Sequence, residues 1–295
     1  MRFCGAYTAL VTPFRNDKLD EDAFRAFVEW QIEQGINGLV PCGTTGESAT
    51  MSHAEHEEII RICVDQAKGR VPVLAGAGSN YTKEAISLTK FAKNVGADGV
   101  LHITPYYNKP TQEGLYQHFK AIAKEVSIPM VLYNVPGRTG VNMLPATVAR
   151  IYKDVPEVVG LKEATGSLQQ FSDVIELCGP DFCVLSGDDF TILPSIAIGG
   201  CGVISVLSNV APKFTHDMVM KYFDGDTKGA TEDQLKALPL INALFSEVNP
   251  IPVKTAMNLM GMNVGPLRMP LCEMEEDTKA ALAKEIEKFG LKLAK

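Results

Sequence analysis

The stretch Val158-Val159-Gly160-Leu161-Lys162-Glu163-Ala164-Thr165-Gly166 places a lysine near the end of a run that is otherwise typical of a buried parallel strand. Lysine is seldom buried without a partner, and burial disfavours its charged form. A neutral amine at such a position can attack a carbonyl and form a Schiff base. Taken alone, the stretch fits better an ordinary strand-end lysine whose ammonium reaches solvent or pairs with Glu163.

The same kind of apolar run recurs along the first three quarters of the chain, separated by amphipathic helical patterns such as Phe24, Phe27, Val28 and Ile32. The eight runs are 6–12, 38–42, 71–75, 99–104, 130–134, 158–162, 183–187 and 202–206. Eight strand and helix pairs predict an α/β protein, a (β/α)8 TIM barrel, in preference to an open doubly wound sheet. Neither GxGxxG nor GxxxxGK[ST] occurs, so no nucleotide-binding fingerprint supports the open sheet.

After Asp224-Gly225-Asp226 the strand-like runs stop and only helical patterns follow. One helix is predicted with Pro250 and Pro252 at its start, 253–260 as its body and Gly261 as its carboxyl-terminal cap, and another is predicted from about Glu276. We therefore expect two domains, a catalytic barrel over 1–224 and a small all-helical domain over 225–295.

The composition bounds the function. The chain is 46% hydrophobic and carries a formal net charge of −7, so nucleic acid, which needs a surplus of Lys and Arg, is not an expected partner. The seven cysteines are odd in number and include no CxxC pair, which suggests neither a disulfide framework nor a zinc site. The apolar runs 6–11 and 196–211 are too short or too interrupted for a signal peptide or a membrane span. A cytoplasmic protein with no membrane contact is expected.

In a barrel the active site lies at the carboxyl ends of the strands, so the residues that follow each run are the candidates for chemistry. They are GTTGES (43–48), PYYN (105–108), YNVPGRTG (133–140), Lys162-Glu163, SGDD (186–189), Ser208 and Asn209. The first loop suits a small carboxylate or phosphate, although it equally fits a tight turn. Tyr133 is a candidate acid or base, and Arg138 can fork onto a carboxylate, although a strand tyrosine is often core and a loop arginine is often solvated.

Seven motifs, in order and spacing, resemble the dihydrodipicolinate synthase family, also named 4-hydroxy-tetrahydrodipicolinate synthase. They are GTTGES (43–48), the pair Tyr106-Tyr107 after Thr104-Pro105, YNVPGRTG (133–140), GLKEATG (160–166), LSGDD (185–189), GGCGVISV (199–206) and NPIPVK (249–254). Together they cover essentially the whole chain, which makes the set far more specific than any one motif.

The resemblance implies a lysine-dependent, class I aldolase-type lyase that condenses pyruvate with L-aspartate 4-semialdehyde in lysine and diaminopimelate biosynthesis. Lys162 would hold pyruvate as a Schiff base. Tyr133 would shuttle protons in a relay with Thr44 and Tyr107, the last supplied by a neighbouring subunit of a homotetramer. An enamine needs no metal and no cofactor, so none is expected in catalysis.

The resemblance also implies the residues that bind the two substrates. Thr45 would bind the pyruvate carboxylate, Arg138 would bind the carboxylate of the semialdehyde, and Gly187 and the backbone at Ile204 would line the pocket. Gly137 stands where family members often have Ser, a departure that leaves the affinity for the semialdehyde open.

A second set coincides with the positions that bind feedback-inhibiting L-lysine in sensitive family members. It comprises Ser48, Ala49, His53, His56, Asn80, Glu84 and Tyr106, with Met51 beside it. We expect inhibition by L-lysine. The alternative is that Ser48 and His53 serve a helix start while His56 and Glu84 are solvated.

Three competing functions stay open on the sequence. Metal-dependent aldol chemistry would need converging His and carboxylate ligands, and the close pair His53 and His56 lies away from Lys162 in the motif order. N-acetylneuraminate lyases and 2-keto-3-deoxy sugar-acid aldolases share the lysine and the tyrosine but typically lack an arginine at position 138. A non-catalytic amino-acid sensor would use only the second set and would form no adduct with pyruvate.

Overall fold

Eight parallel strands form the centre of the molecule in the computed structural model, which describes residues 3–294. The barrel strands are β1 (Gly5–Ala9), β4 (Gly38–Val40), β5 (Leu74–Gly76), β6 (Gly99–Ile103), β7 (Met130–Asn134), β8 (Val158–Glu163), β9 (Cys183–Ser186) and β10 (Gly202–Ser205). Their order in the sheet is β4-β1-β10-β9-β8-β7-β6-β5. A parallel bridge between Leu39 and Val73 joins the two ends of this sheet, so the strands close into the predicted barrel.

Helices surround the ring and form the carboxyl-terminal region. They are α1 (Glu21–Glu33), α2 (His53–Ala67), α3 (Thr82–Asn94), α4 (Gln112–Glu125), α5 (Pro136–Thr139), α6 (Pro145–Asp154), α7 (Leu168–Cys178), α8 (Ile192–Ala197), α9 (Pro212–Phe223), α10 (Thr227–Leu244), α11 (Ile251–Leu259) and α12 (Glu276–Phe289). The predicted α/β class is thereby confirmed, and helices follow residue 225 as expected. The domain boundary at 224 stays a prediction.

The apolar side chains form two cores, one on each face of the strands. The outer core packs between the ring and its helices and includes Phe24, Ile59 and Phe119. The inner core fills the barrel and includes Tyr7 and Leu101. Buried on both faces, the strands consequently consist of near-continuous apolar runs.

Local signals in the sequence explain where several elements begin. Helix α2 starts with a capping box in which the Ser52 hydroxyl accepts from the Glu55 amide and the Glu55 carboxylate accepts from the Ser52 amide. Helix α11 begins at Ile251, between Pro250 and Pro252, the residues predicted to mark its start, and the predicted cap Gly261 follows it with a φ of 81°.

The first strand is shorter than the run 6–12 that predicts it. Pairing along the strand stops where the Val11 amide donates to the Asn209 side chain at 3.1 Å and the Thr12 hydroxyl donates to the Gly46 carbonyl at 2.7 Å. An unpredicted two-residue hairpin follows, β2 (Phe14–Arg15) with β3 (Lys18–Leu19). Its turn residues, Asn16 and Asp17, both have positive φ, as a type I′ turn requires.

Among residues 3–294, none of the helices combines the length and the apolar character needed to cross a bilayer.

Candidate active site

Lys162 lies inside the barrel beside Tyr133. The two residues are register partners on the neighbouring strands β8 and β7, and both side chains are buried. The Lys162 Nζ lies 4.3 Å from the centroid of the Tyr133 ring. Within the described range 3–294, no carboxylate forms an ion pair with this amine. An unpaired amine next to a phenol is the arrangement that imine chemistry needs.

Glu163, the one carboxylate adjacent to Lys162 in sequence, points to a different network. Its Oε2 accepts from Asn134 Nδ2 and Gln170 Nε2, both at 3.1 Å, and its Oε1 accepts from the Thr165 amide at 2.8 Å. Strand alternation places neighbouring side chains on opposite faces. The possibility that Lys162 pairs with Glu163 is therefore wrong.

The absence of a side chain at Gly187 leaves room for the Lys162 side chain. It follows β9, whose Leu185 is the register partner of Lys162. A Cβ at position 187 would lie 2.9 Å from Lys162 Cε and 2.6 Å from Ala164 Cβ. Glycine at this position therefore lets the lysine side chain extend past the end of β9.

The loop of residues 43–48 is tied to the carboxyl-terminal region through Asn249. The buried Thr45 accepts from Asn249 Nδ2 through its Oγ1 at 3.0 Å, and the Asn249 carbonyl accepts from Arg138 Nη2 at 3.0 Å. One residue thus orients both predicted carboxylate-binding side chains. Ile204 is buried on β10 in the inner core and is the register partner of Tyr7.

Tyr107 is a predicted catalytic residue that this chain does not bring to Lys162. Its side chain is 89% exposed, its φ is 71°, and its backbone amide donates to the Thr139 carbonyl. The tyrosine therefore projects from the surface of this chain.

A cavity of about 430 Å³ extends from the loop of residues 43–48, which is predicted to bind substrate, to most of the residues predicted to bind L-lysine. Thr44 and Arg138 line one part of it. Six of the seven residues of the second set also line it, namely Ser48, Ala49, His53, His56, Glu84 and Tyr106, and Met51 lies among them. Asn80 is next to this cavity, because its Nδ2 donates to the Tyr106 carbonyl at 3.1 Å.

Hydrogen bonds and burial determine the charge states of Glu84 and His56 in this cavity. The Ser79 hydroxyl and the His53 ring bond Glu84, and they lower the pKa of its carboxyl, so Glu84 is an anion at neutral pH. Burial lowers the pKa of His56, whose Nε2–H donates to the Gly76 carbonyl at 2.7 Å. The cavity therefore offers the Glu84 carboxylate as an anion and the His56 imidazole in its neutral form.

A buried ion pair that was not predicted lies behind the loop of residues 43–48. Lys254 Nζ lies 2.6 Å from Glu47 Oε1, and both side chains are almost fully buried. The Arg268 amide donates to the other oxygen of Glu47 at 2.9 Å. Burial lowers the pKa of Lys254. The only signal was that Glu47 and Lys254 lie in two of the quoted motifs, GTTGES and NPIPVK.

Comparison with known proteins gives a consistent family. Residues 2–289 match the model of the dihydrodipicolinate synthetase family. Proteins named 4-hydroxy-tetrahydrodipicolinate synthase from Oleidesulfovibrio alaskensis and Nitratidesulfovibrio vulgaris (strain DP4) are 62% and 61% identical over 291 residues. Each alignment covers 99% of this chain and 100% of the relative.

Solved structures agree over the full length. The dihydrodipicolinate synthase of Thermotoga maritima has a TM-score of 0.97 at 46% identity, covering 99% of this chain and 100% of that one. A Cyanidioschyzon merolae enzyme with lysine bound gives 0.96 at 40%, covering 98% and 99%. An Acinetobacter baumannii enzyme complexed with pyruvate gives 0.95 at 43%, also covering 98% and 99%. The chain therefore belongs to the dihydrodipicolinate synthetase family, and it is an enzyme of the lyase class.

Proposed function

We propose that this enzyme condenses pyruvate with L-aspartate 4-semialdehyde, in the branch of metabolism that leads to diaminopimelate and lysine. The observation that carries the proposal is the buried amine of Lys162, which has no carboxylate partner among residues 3–294 and lies 4.3 Å from the ring of Tyr133. The relatives that carry this activity in their names align over 99% of the chain.

Lys162 attacks the ketone of pyruvate to form a carbinolamine, which loses the former ketone oxygen as water and becomes an imine. The imine draws electrons from the methyl carbon, which loses a proton and attacks the aldehyde of the second substrate. Tyr133 transfers protons to and from the carbinolamine, in a relay with Thr44 and with Tyr107 of a neighbouring subunit. A related Acinetobacter baumannii structure contains pyruvate, which supports the first substrate.

Two side chains hold the carboxylates. Thr45 presents its hydroxyl to pyruvate, and Arg138 presents its guanidinium to the semialdehyde. Asn249 bonds both of them, which fixes the distance between the two carboxylate sites. Gly187 and Ile204 complete the wall around the imine.

Arg138 also favours this reaction over cleavage of sugar acids. A guanidinium at the mouth of the cavity matches a second substrate that carries a carboxylate, whereas a polyhydroxylated chain needs hydroxyl partners. The sugar-acid aldolase is therefore the second candidate, and the intact arginine is the observation against it.

We propose that L-lysine inhibits the enzyme by binding in the 430 Å³ cavity. The anionic Glu84 suits an ammonium, while Ser48, Asn80 and Tyr106 supply polar partners. The lysine-bound structure of the Cyanidioschyzon merolae relative supports this assignment.

A coupled assay tests the whole proposal. Wild type is expected to condense the two substrates, Lys162→Ala to be inactive, and millimolar L-lysine to inhibit wild type but not Glu84→Ala. Condensation of the semialdehyde by Lys162→Ala at the wild-type rate would contradict the catalytic assignment. Lysine sensitivity that persists in Glu84→Ala would contradict the regulatory one while leaving the reaction intact.

A further inference from the structure

Three cysteines that are far apart in sequence meet at the amino-terminal end of the barrel. The Sγ atoms of Cys4, Cys183 and Cys201 all lie within 4.8 Å of one another. Each cysteine stands at the start of a strand: Cys4 precedes β1, Cys183 begins β9 and Cys201 precedes β10. The grouping is not evident from the positions of the cysteines along the chain, because the three strands become neighbours only through the order β1-β10-β9 in the sheet.

The backbone around the three thiols, which we call the thiol cluster, is held by the barrel ladder. The Cys201 amide donates to the Val184 carbonyl at 2.8 Å, and the Cys201 carbonyl accepts from the Gly5 amide at 2.8 Å. Cys183 and Cys201 are buried in the inner core, while Cys4 is partly exposed beside them. The cluster is therefore a rigid, mostly apolar site with one open side.

The spacing of the sulfur atoms fits one bound metal ion. A metal–sulfur bond of about 2.3 Å places the sulfurs of a tetrahedral thiolate site about 3.8 Å apart. Small rotations about the Cα–Cβ bonds bring sulfurs that lie within 4.8 Å to that distance. A multi-iron cluster spreads its cysteine ligands over several metals, so this compact triangle suits a single ion.

We propose that Cys4, Cys183 and Cys201 bind one soft d10 metal ion through their three sulfur atoms. Thiolates select Cu(I) and Zn(II) over hard cations such as Mg²⁺. Cu(I) would be held by the three sulfurs alone, whereas Zn(II) would take a fourth ligand from solvent on the side of Cys4. Coordination replaces the thiol protons by metal–sulfur bonds and changes no oxidation state.

The site is separate from the proposed chemistry at Lys162. The register partner of Cys183 is Gly160, whereas that of Lys162 is Leu185, so the cluster lies one layer nearer the amino-terminal end of the barrel. Metal bound here would link β1, β10 and β9, three strands whose order in the sheet is fixed but whose starts are separated along the chain. Its effect would therefore be on stability.

Metal titration of the reduced, metal-free full-length protein tests the proposal. Cu(I) is offered in competition with a bathocuproine chelator, and Zn(II) is offered in a separate arm with a chromogenic zinc indicator. We expect one ion per chain in at least one arm, and a metal-dependent rise in Tm. Cys4→Ser and Cys201→Ser should each weaken binding by about 100-fold or more. Cys272→Ser, which removes an exposed thiol elsewhere, should match wild type.

If Cys201→Ser fails to fold, Cys4→Ser alone tests the proposal. Cys4 is partly exposed, and a hydroxyl in place of its thiol leaves the inner core filled. The proposal is overturned if wild type binds neither ion, or if Cys4→Ser binds as tightly as wild type. It is also overturned if mild oxidation lowers the count of seven titratable thiols to five in wild type but not in Cys4→Ser or Cys201→Ser, since that result identifies a disulfide-forming pair.

Discussion

At the scale of single residues, the proposed site depends on three features around Lys162. No carboxylate among residues 3–294 pairs with its amine, position 187 carries no side chain, and the Tyr133 ring lies beside it. Lys162 has the Tyr133 phenol on one side and Gly187 on the other. The carboxylate of its neighbour Glu163 accepts hydrogen bonds from Asn134 and Gln170. The amine therefore keeps its freedom to reach a bound carbonyl.

Gly187→Ala should lower kcat by about 10- to 100-fold, because the added Cβ would lie 2.9 Å from Lys162 Cε and displace the amine. Steady-state kinetics measures this change. The matched control is Gly137→Ser: nothing lies within 4 Å of a Cβ at position 137, so kcat and the KM for the semialdehyde should stay near wild type. A wild-type kcat in Gly187→Ala would refute the steric role of this glycine.

At the scale of elements, side chains from the carboxyl-terminal region hold the substrate loop in place. Lys254 on α11 pairs with Glu47, and Asn249 bonds Thr45. Glu47 has a left-handed backbone with a φ of 58°, which few residues adopt without support. The helical region is therefore part of the site and does not merely flank it.

Lys254→Met should lower the free energy of unfolding by about 3–5 kcal/mol, because Glu47 would be left as a buried, unpaired carboxylate. Adding Glu47→Gln should recover part of the loss. Chemical denaturation measures both. Lys213→Met removes the exposed Lys213–Asp217 pair and should cost less than about 1 kcal/mol. Equal losses at the two lysines would argue against the buried pair.

A pH dependence is expected at the start of α2. The Arg268 guanidinium, 2.7 Å from Glu55, lowers the pKa of that carboxyl to about 2 from an unfolded value near 4.5. A depressed folded pKa stabilises the protein above pH 4.5, and this contribution is lost as the pH falls towards 2. Solvent screening limits it to about 1 kcal/mol.

Denaturation of Glu55→Gln measures this contribution. The variant should be less stable than wild type at pH 7, and the difference should shrink as the pH falls below 4.5. Glu58→Gln, in an exposed pair with Arg61 on the same helix, serves as the control and should show a smaller difference. A Glu55→Gln difference that does not change with pH would contradict the assignment.

At the scale of the whole molecule, Tyr107 is exposed, so the proposed relay needs the tyrosine of a second chain. Lys162→Ala and Tyr107→Phe should each be nearly inactive. If Tyr107 acts across an interface, random mixing of the two variants gives half mixed dimers with one intact site in two, and thus about a quarter of wild-type activity. Activity after dissociation and reassociation measures this. A mixture no more active than its components would contradict a shared site.

The sequence alone predicts the barrel well, because eight buried parallel strands repeat one pattern and their carboxyl ends must meet. It also places Lys162 and Tyr133 together, since they end adjacent strands. Contacts between distant segments were not predictable. The Lys254–Glu47 pair depends on how close helix α11 comes to the loop of residues 43–48, and the thiol cluster depends on how close three strand starts come to lie, which no local sequence pattern indicates.

The most direct test of the central claim is reduction of the enzyme with borohydride in the presence of pyruvate, followed by peptide mass spectrometry. We expect one reduced pyruvyl group per chain, on Lys162, with activity lost in proportion to labelling. Lys254, which is also buried but paired with Glu47, should stay unlabelled. Label on another lysine, or an unmodified Lys162 after reduction with pyruvate, would show that Lys162 does not form the Schiff base.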